Sequence, residues 1–186
     1  MLKSAQHLNE LELNKLLKYL SSKQLWPYYL LVRFGVATAL RHRDLSRLKW
    51  IDILGVQRLV ITENKTKKTR EIPINIDLQS IIKSTYSRLH SPRELDSVFP
   101  LKLRTINKQL KVHAAKAGIH GKRISTHSFR KTFGREVWKK NGNSELSLIK
   151  LSLLFNHSST SITRIYLDIT RDEIKNLYEI DELFTY

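Results

Sequence analysis

The sequence predicts a mainly helical domain with one small antiparallel sheet, an α+β arrangement. Three observations lead there. Leu8, Leu11, Leu13, Leu16, Leu17 and Leu20 recur at helical spacing. Two β-prone runs, Val56–Glu63 and Arg70–Asn75, flank the polar stretch from Asn64 to Thr69 and read as a hairpin. Capping and breaking residues divide the remainder into helix-length segments, with no repeat, low-complexity tract or interdomain linker.

Taken in order, residues from about 8 to 21 form an amphipathic helix. Pro27 suits the first turn of a second helix through Leu30, Leu31, Phe34 and Ala37, because proline's missing N–H would have no partner there anyway. A short third helix is expected around Asp44–Trp50, and Gly55 ends that pattern before the hairpin. Helices resume at about 77–89 and, with Thr105 as the N-cap, at about 106–117. Ser128–Lys140 is the next helix, ending at Asn141-Gly142. Ser144–Phe155 and Ser159–Leu167 follow, with Asn156 ending the first and Ser158 or Ser159 capping the second. The tail opens with Thr170-Arg-Asp-Glu173, a capping-box pattern, and predicts a last helix to about 184.

Charge narrows the class of partner. The chain has 186 residues, 33 Lys and Arg against 17 Asp and Glu, and a net charge of +16. Its 41% hydrophobic content is that of a folded chain, so this is no disordered basic tail. A folded basic domain implies a polyanion, nucleic acid first among them. Residues 168–186 hold two basic and six acidic side chains, net −4, which leaves +20 on residues 1–167. The body is therefore expected to meet phosphates and the tail to meet protein. There are no cysteines, which excludes disulfides and thiolate metal sites. The first 20 residues mix charges with leucines and show no export signal, and no apolar run is long enough for a bilayer, so the expected setting is cytoplasmic.

The carboxylates of the body are scattered, with no cluster suited to Mg²⁺ and no glycine-rich phosphate loop. Phosphodiester chemistry here would rest on cationic side chains. His127 and Arg130, three apart at a helix start, suit a phosphate. Further candidates are Arg41 between two helices, the hairpin lysines Lys65, Lys67 and Lys68, His157 in a tight corner, and Tyr166 nine residues beyond it. Each has a plainer alternative when taken alone. Arg41 and the lysines suit exposed connections, His127 and Arg130 an ordinary first turn, and His157 corner packing. Tyr166, with Ile162 one turn before it, suits a core tyrosine.

In order, however, Arg, hairpin Lys, His-x-x-Arg, His and Tyr resemble the catalytic domain of the tyrosine recombinases, the phage-integrase family. Thr38-Ala-Leu-Arg41 with Asp44 and Trp50 resembles the family's Thr-Gly-Leu-Arg block. Asn64-Lys-Thr before Arg70-Glu-Ile-Pro-Ile resembles its hairpin, His127-Ser-Phe-Arg-Lys-Thr-Phe its His-x-x-Arg box, and Asn156-His-Ser-Ser with Arg164-Ile-Tyr166 its nucleophile box. Ala39 and Asn156 stand where glycines are customary, and Lys131 where a second histidine is common.

The resemblance implies a fold shared with type IB topoisomerases and a catalytic set of Arg41, Lys65, His127, Arg130, His157 and the nucleophile Tyr166. It implies DNA contacts from Arg43, Lys67, Lys68, Lys131 and Arg164, a 3′-phosphotyrosine intermediate, and neither metal nor cofactor. Residues 1–170 would be the DNA-cleaving domain and 171–186 a helix that docks on a neighbouring protomer in a synaptic tetramer. The family's usual N-terminal clamp domain is expected to be absent. The rival expectations are a DNA-binding accessory protein of the same fold without strand transfer, and a type IB topoisomerase-like enzyme.

Overall fold

The computed structural model describes residues 4–65 and 67–170. Among them the elements run α1 (Glu10–Ser22), α2 (Trp26–Thr38), α3 (His42–Leu45), α4 (Trp50–Ile53), β1 (Arg58–Thr62), β2 (Thr69–Pro73), α5 (Ile76–Arg88), α6 (Leu103–Lys116), α7 (Thr126–Lys140), α8 (Glu145–Phe155) and α9 (Thr160–Tyr166). The chain forms two compact units, divided within α7 between Phe133 and Gly134.

In the first unit, α1 begins with a reciprocal cap. Asn9 Oδ1 accepts the Glu12 amide and Glu12 Oε2 accepts the Asn9 amide, which satisfies two donors that a helix start leaves without partners. The apolar stripe of α1 buries Leu16, Leu17 and Leu20. α1 packs on α2 and α6, and α2 on α5, around a core that includes Phe34, Trp50, Ile82, Ile106, Leu110 and Phe129. Gly35 of α2 has a packing reason: a Cβ there would come within 2.8 Å of Phe129 Cδ2. The segment before α1 straps across the start of α7. Thr132 Oγ1 accepts the Leu8 amide and donates to the Leu8 carbonyl, Gln6 and Arg123 exchange bonds, and Lys122 Nζ reaches the His7 carbonyl and Glu12.

β1 and β2 pair antiparallel in the register Arg58↔Pro73 to Thr62↔Thr69, and Leu59, Ile61 and Ile72 face the core. The hairpin, α1, α2 and α5 lie where the sequence puts them. Two predictions need correction. The expected helix around Asp44–Trp50 is two single turns, α3 and α4, separated at Ser46–Lys49. Backbone pairing with the 94–98 segment replaces the helical bonds: Lys49 bridges Ser97, Trp50 N donates to Asp96 O, and Val98 N donates to Leu48 O. Thr105 is not the cap of α6; Lys102, three residues earlier, stands at that position.

In the second unit, α8 and α9 pack together over buried Leu148, Leu151, Phe155, Leu167 and Ile169. Ser144 caps α8 and Ser159 caps α9, and Asn156 closes α8 in the left-handed region at φ 55°, ψ 50°. A Cβ on Gly134 would meet Leu167 at 2.7 Å and Phe155 at 3.0 Å, so the glycine permits that packing. Ile162, read as a sign of a core position for Tyr166, is instead 43% exposed. The predicted tail helix from Thr170 to about 184 lies, beyond Thr170, outside the described residues.

Candidate active site

The first unit builds a cationic corner around the end of α2. Ala39 turns the chain there at φ 52°, ψ 25°, a left-handed conformation that costs an L-residue about 1 kcal/mol. Its carbonyl is then free of the helix and accepts a hydrogen bond from Arg130 Nη1. Arg130 is buried, so its guanidinium is held by the protein rather than by water. Arg41 follows two residues later as the extended residue before α3.

Two carboxylates that sequence reasoning did not place as site residues tie the hairpin to this corner. Glu63, at 2% exposure, accepts Arg41 Nη1 on Oε2 and Arg70 Nη1 on Oε1, both at 2.7 Å. Asp44 is fully buried and its Oδ1 accepts the Asn64 amide at 2.8 Å. A buried carboxylate needs such partners, since desolvation without them is costly. The available signal was a glutamate just after β1, one of two in a hairpin otherwise rich in lysine and arginine. Asp44, noticed only as part of a motif, had no legible role.

His127 sits in the first turn of α7. Ser125 Oγ accepts its amide and Ser128 Oγ accepts the Ser125 amide, so the turn is fixed from both ends. The ring is held below the ordinary histidine range by desolvation first, then by the positive charges of Arg130, Arg41, Lys131 and His42. The residue keeps an exposed surface, so solvent moderates the first cause. These neighbouring groups place His127 in the same electrostatic field as both arginines.

The remaining predicted residues of this unit fall in two groups. Arg43, Lys65, Lys67 and Lys68 are exposed, the lysines on the hairpin turn where Glu63 pairs its backbone with Lys67 and Lys68. Lys131, predicted to contact DNA, is instead 2% exposed with Nζ 3.3 Å from Ser4 Oγ. The N-terminal strap covers that face of α7 and gives the ammonium a protein partner. Sequence reasoning also missed a basic stripe on α6, where Arg104, Lys108 and Lys111 are exposed at spacings of four and three.

The second unit holds His157 and Tyr166. Asn156 reverses the chain so that the His157 amide reaches Ser152 O, and His157 Nδ1 lies 3.0 Å from Thr163 Oγ1. The tyrosine ring meets the histidine edge-to-face at 5.1 Å and Phe155 at 5.5 Å. Phe155 is buried and Tyr166 half-buried, so the tyrosine ring packs on a core side chain. Arg164, predicted to contact DNA, has Nη2 2.6 Å from Glu145 Oε2 and joins α9 to α8.

Among the described residues, no three of His, Asp and Glu gather as a metal site requires, and no helix is long and apolar enough to cross a membrane.

The profile of the phage integrase family matches residues 6–173. A probable integrase/recombinase YoeC of Bacillus subtilis is 31% identical over 170 residues, 88% of each chain. The tyrosine recombinase XerD of Yersinia pestis is 26% identical over 153 residues, so this chain spans about half the length of that relative. The fold matches XerA recombinase with a TM-score of 0.69 over 96% of this chain and 65% of the other, at 22% identity. It matches XerH bound to its difH substrate with a TM-score of 0.71 over 97% of this chain and 54% of the other, at 21% identity. On the extent of these matches, the chain belongs to the phage integrase family, the tyrosine recombinases.

Proposed function

We propose that this chain catalyses site-specific DNA recombination, with Tyr166 as the nucleophile. The observation that carries the reading is the cationic corner: Arg130 anchored on Ala39, Arg41 held by Glu63, and His127 in the field of both. Fixed guanidiniums suit the two non-bridging oxygens of a phosphodiester, and they stabilise the charge that develops as phosphorus becomes five-coordinate. Tyr166 Oη passes its proton to His127 and bonds to phosphorus, and the 5′-oxygen leaves, taking a proton from Lys65. His127 serves as acid–base partner, and His157 hydrogen-bonds the phosphate. The 3′-phosphotyrosine conserves the bond, so the 5′-hydroxyl of a second strand can reverse the step without an external energy source.

Arg43, Lys67 and Lys68, with the α6 stripe, supply sequence-independent phosphate contacts. Duplex DNA as partner is supported by the relatives of the same fold, XerH with its difH substrate and a lambda integrase tetramer on a Holliday junction. The same likeness supports self-association on DNA, with residues 171–186 as the segment exchanged between protomers and 1–170 as the cleaving part. A cytoplasmic, DNA-associated location follows from that substrate.

The test is trapping on a pool of nicked duplexes, in which the strand beyond the cut diffuses away. Wild-type protein is expected to give a denaturation-resistant DNA adduct. Tyr166→Phe should lower its yield at least about a thousandfold while leaving duplex affinity within about twofold. An adduct formed equally by the variant would overturn the assignment, and binding without any adduct would favour an accessory protein. Exchange between two marked duplexes then separates a recombinase from a topoisomerase-like enzyme.

A further inference from the structure

We propose that Glu63 is a positioning residue for strand cleavage, fixing the direction of Arg41 and, through Arg70, the seat of the hairpin turn. The inference rests on the recombinase reading for its activity readout alone. Glu63 makes at least four connections. Its side chain gives one oxygen to Arg41 and the other to Arg70, each at 2.7 Å. Its backbone closes the turn, with Glu63 N donating to Lys68 O at 3.0 Å and Lys67 N donating to Glu63 O at 2.9 Å.

The carboxylate is 2% exposed and its two arginine partners 18% each, so solvent screens this cluster little. Arg70 stands opposite Ile61 in the ladder, which makes it part of a paired strand rather than a loose arm. Arg41 is thereby referenced to the sheet, and the turn that carries Lys65, Lys67 and Lys68 closes on the backbone of the same residue. A guanidinium is a planar fork whose value to a phosphate depends on its direction. Glu63 supplies that direction and leaves the cluster one net positive charge for DNA.

Chemistry makes the glutamate hard to replace. Glutamine offers one acceptor oxygen and an NH₂ group that only donates, so one of the two arginines would face a donor. Aspartate keeps both acceptors but is one methylene shorter. Electrostatics and geometry also predict opposite outcomes for Glu63→Gln. Removing a negative charge from a basic surface tightens duplex binding, whereas misdirecting Arg41 slows cleavage.

The experiment compares wild type, Glu63→Gln, Glu63→Asp and Tyr166→Phe on the nicked duplex pool. It measures adduct rate at saturating protein, duplex affinity at fixed salt, and ¹⁵N exchange of the arginine side chains. Glu63→Gln is expected to bind duplex as tightly as wild type or more so, yet to form adduct at least about tenfold more slowly at saturation, with partial recovery in Glu63→Asp. Adduct rates within twofold of wild type, or a deficit that more protein restores, overturn the inference. If wild type forms no adduct, the recombinase reading fails and the NMR arm decides. Rotation about the Arg41 Nε–Cζ bond should be slow in wild type and fast in Glu63→Gln, and equal rates in the two would overturn the positioning role.

Discussion

Among the described residues, His113 has an unfavourable setting. It is 8% exposed between Tyr19 and Tyr28, and neither ring nitrogen has a hydrogen-bond partner among the described residues. Desolvation first, and then Lys116, lowers its pKa below 6.5, and desolvation likewise lowers His42 and His127. The sign of the linkage follows. The unfolded chain takes up these protons at a higher pH than the native one, so native stability is complete above about 6.5 and falls as the pH drops toward the lowered values. His113→Leu removes one such group at similar volume. Its melting temperature should stay close to wild type at pH 7.5, and its decrease between pH 7.5 and 5.5 should be smaller by about 2–4 °C. An unchanged decrease would show that His113 does not couple to acid unfolding. At this scale the sequence was legible where a residue sat inside a motif, as Arg41, His127 and Arg130 did. Glu63 was not legible, because its importance comes from two arginines 22 and 7 positions away in the chain.

Elements were legible where local chemistry decides them. The Ser159 cap forms as the local sequence suggests, and Asn9, Asn75 and Ser144, not read as caps from the sequence, close their helix starts by the same reach to an amide three residues on. The division of the 42–53 segment into two turns was not, because the competing backbone partners come from residues 94–98. Both chain reversals at site-bearing corners use left-handed residues other than glycine, Ala39 and Asn156. They should respond differently to substitution. Ala39→Gly relieves a strained Cβ and should raise stability by up to about 1 kcal/mol by chemical denaturation, offset in part by the greater freedom of glycine when unfolded. Asn156→Ala introduces the strain that asparagine tolerates and should lower stability by about 1 kcal/mol, with Asn156→Gly close to neutral. Stabilisation by Asn156→Ala would contradict the left-handed geometry.

For the whole molecule the governing quantity is charge, +20 on residues 1–167 against −4 on 168–186. Duplex affinity should fall steeply with salt, since each neutralised phosphate releases counterions. With six to ten phosphate contacts the loss between 50 and 200 mM salt is about 10³–10⁵-fold. Glutamine in place of Lys108 and Lys111 should lower the slope of log affinity against log salt by about two units if the α6 stripe lies on the backbone, and leave it unchanged otherwise. The sequence by itself determined the fold class, the polyanionic partner and the order of the motif residues. Helical periodicity, capping and net charge are local or additive properties, so a linear reading captures them. Only the tertiary structure decided which cations are available to a phosphate. It buried Lys131 under the N-terminal strap, joined Arg164 to Glu145, anchored Arg130 on Ala39, and set Glu63 between Arg41 and Arg70. Those outcomes depend on groups far apart in the chain meeting at low exposure, where pairing and desolvation, rather than residue type, determine what a charge does.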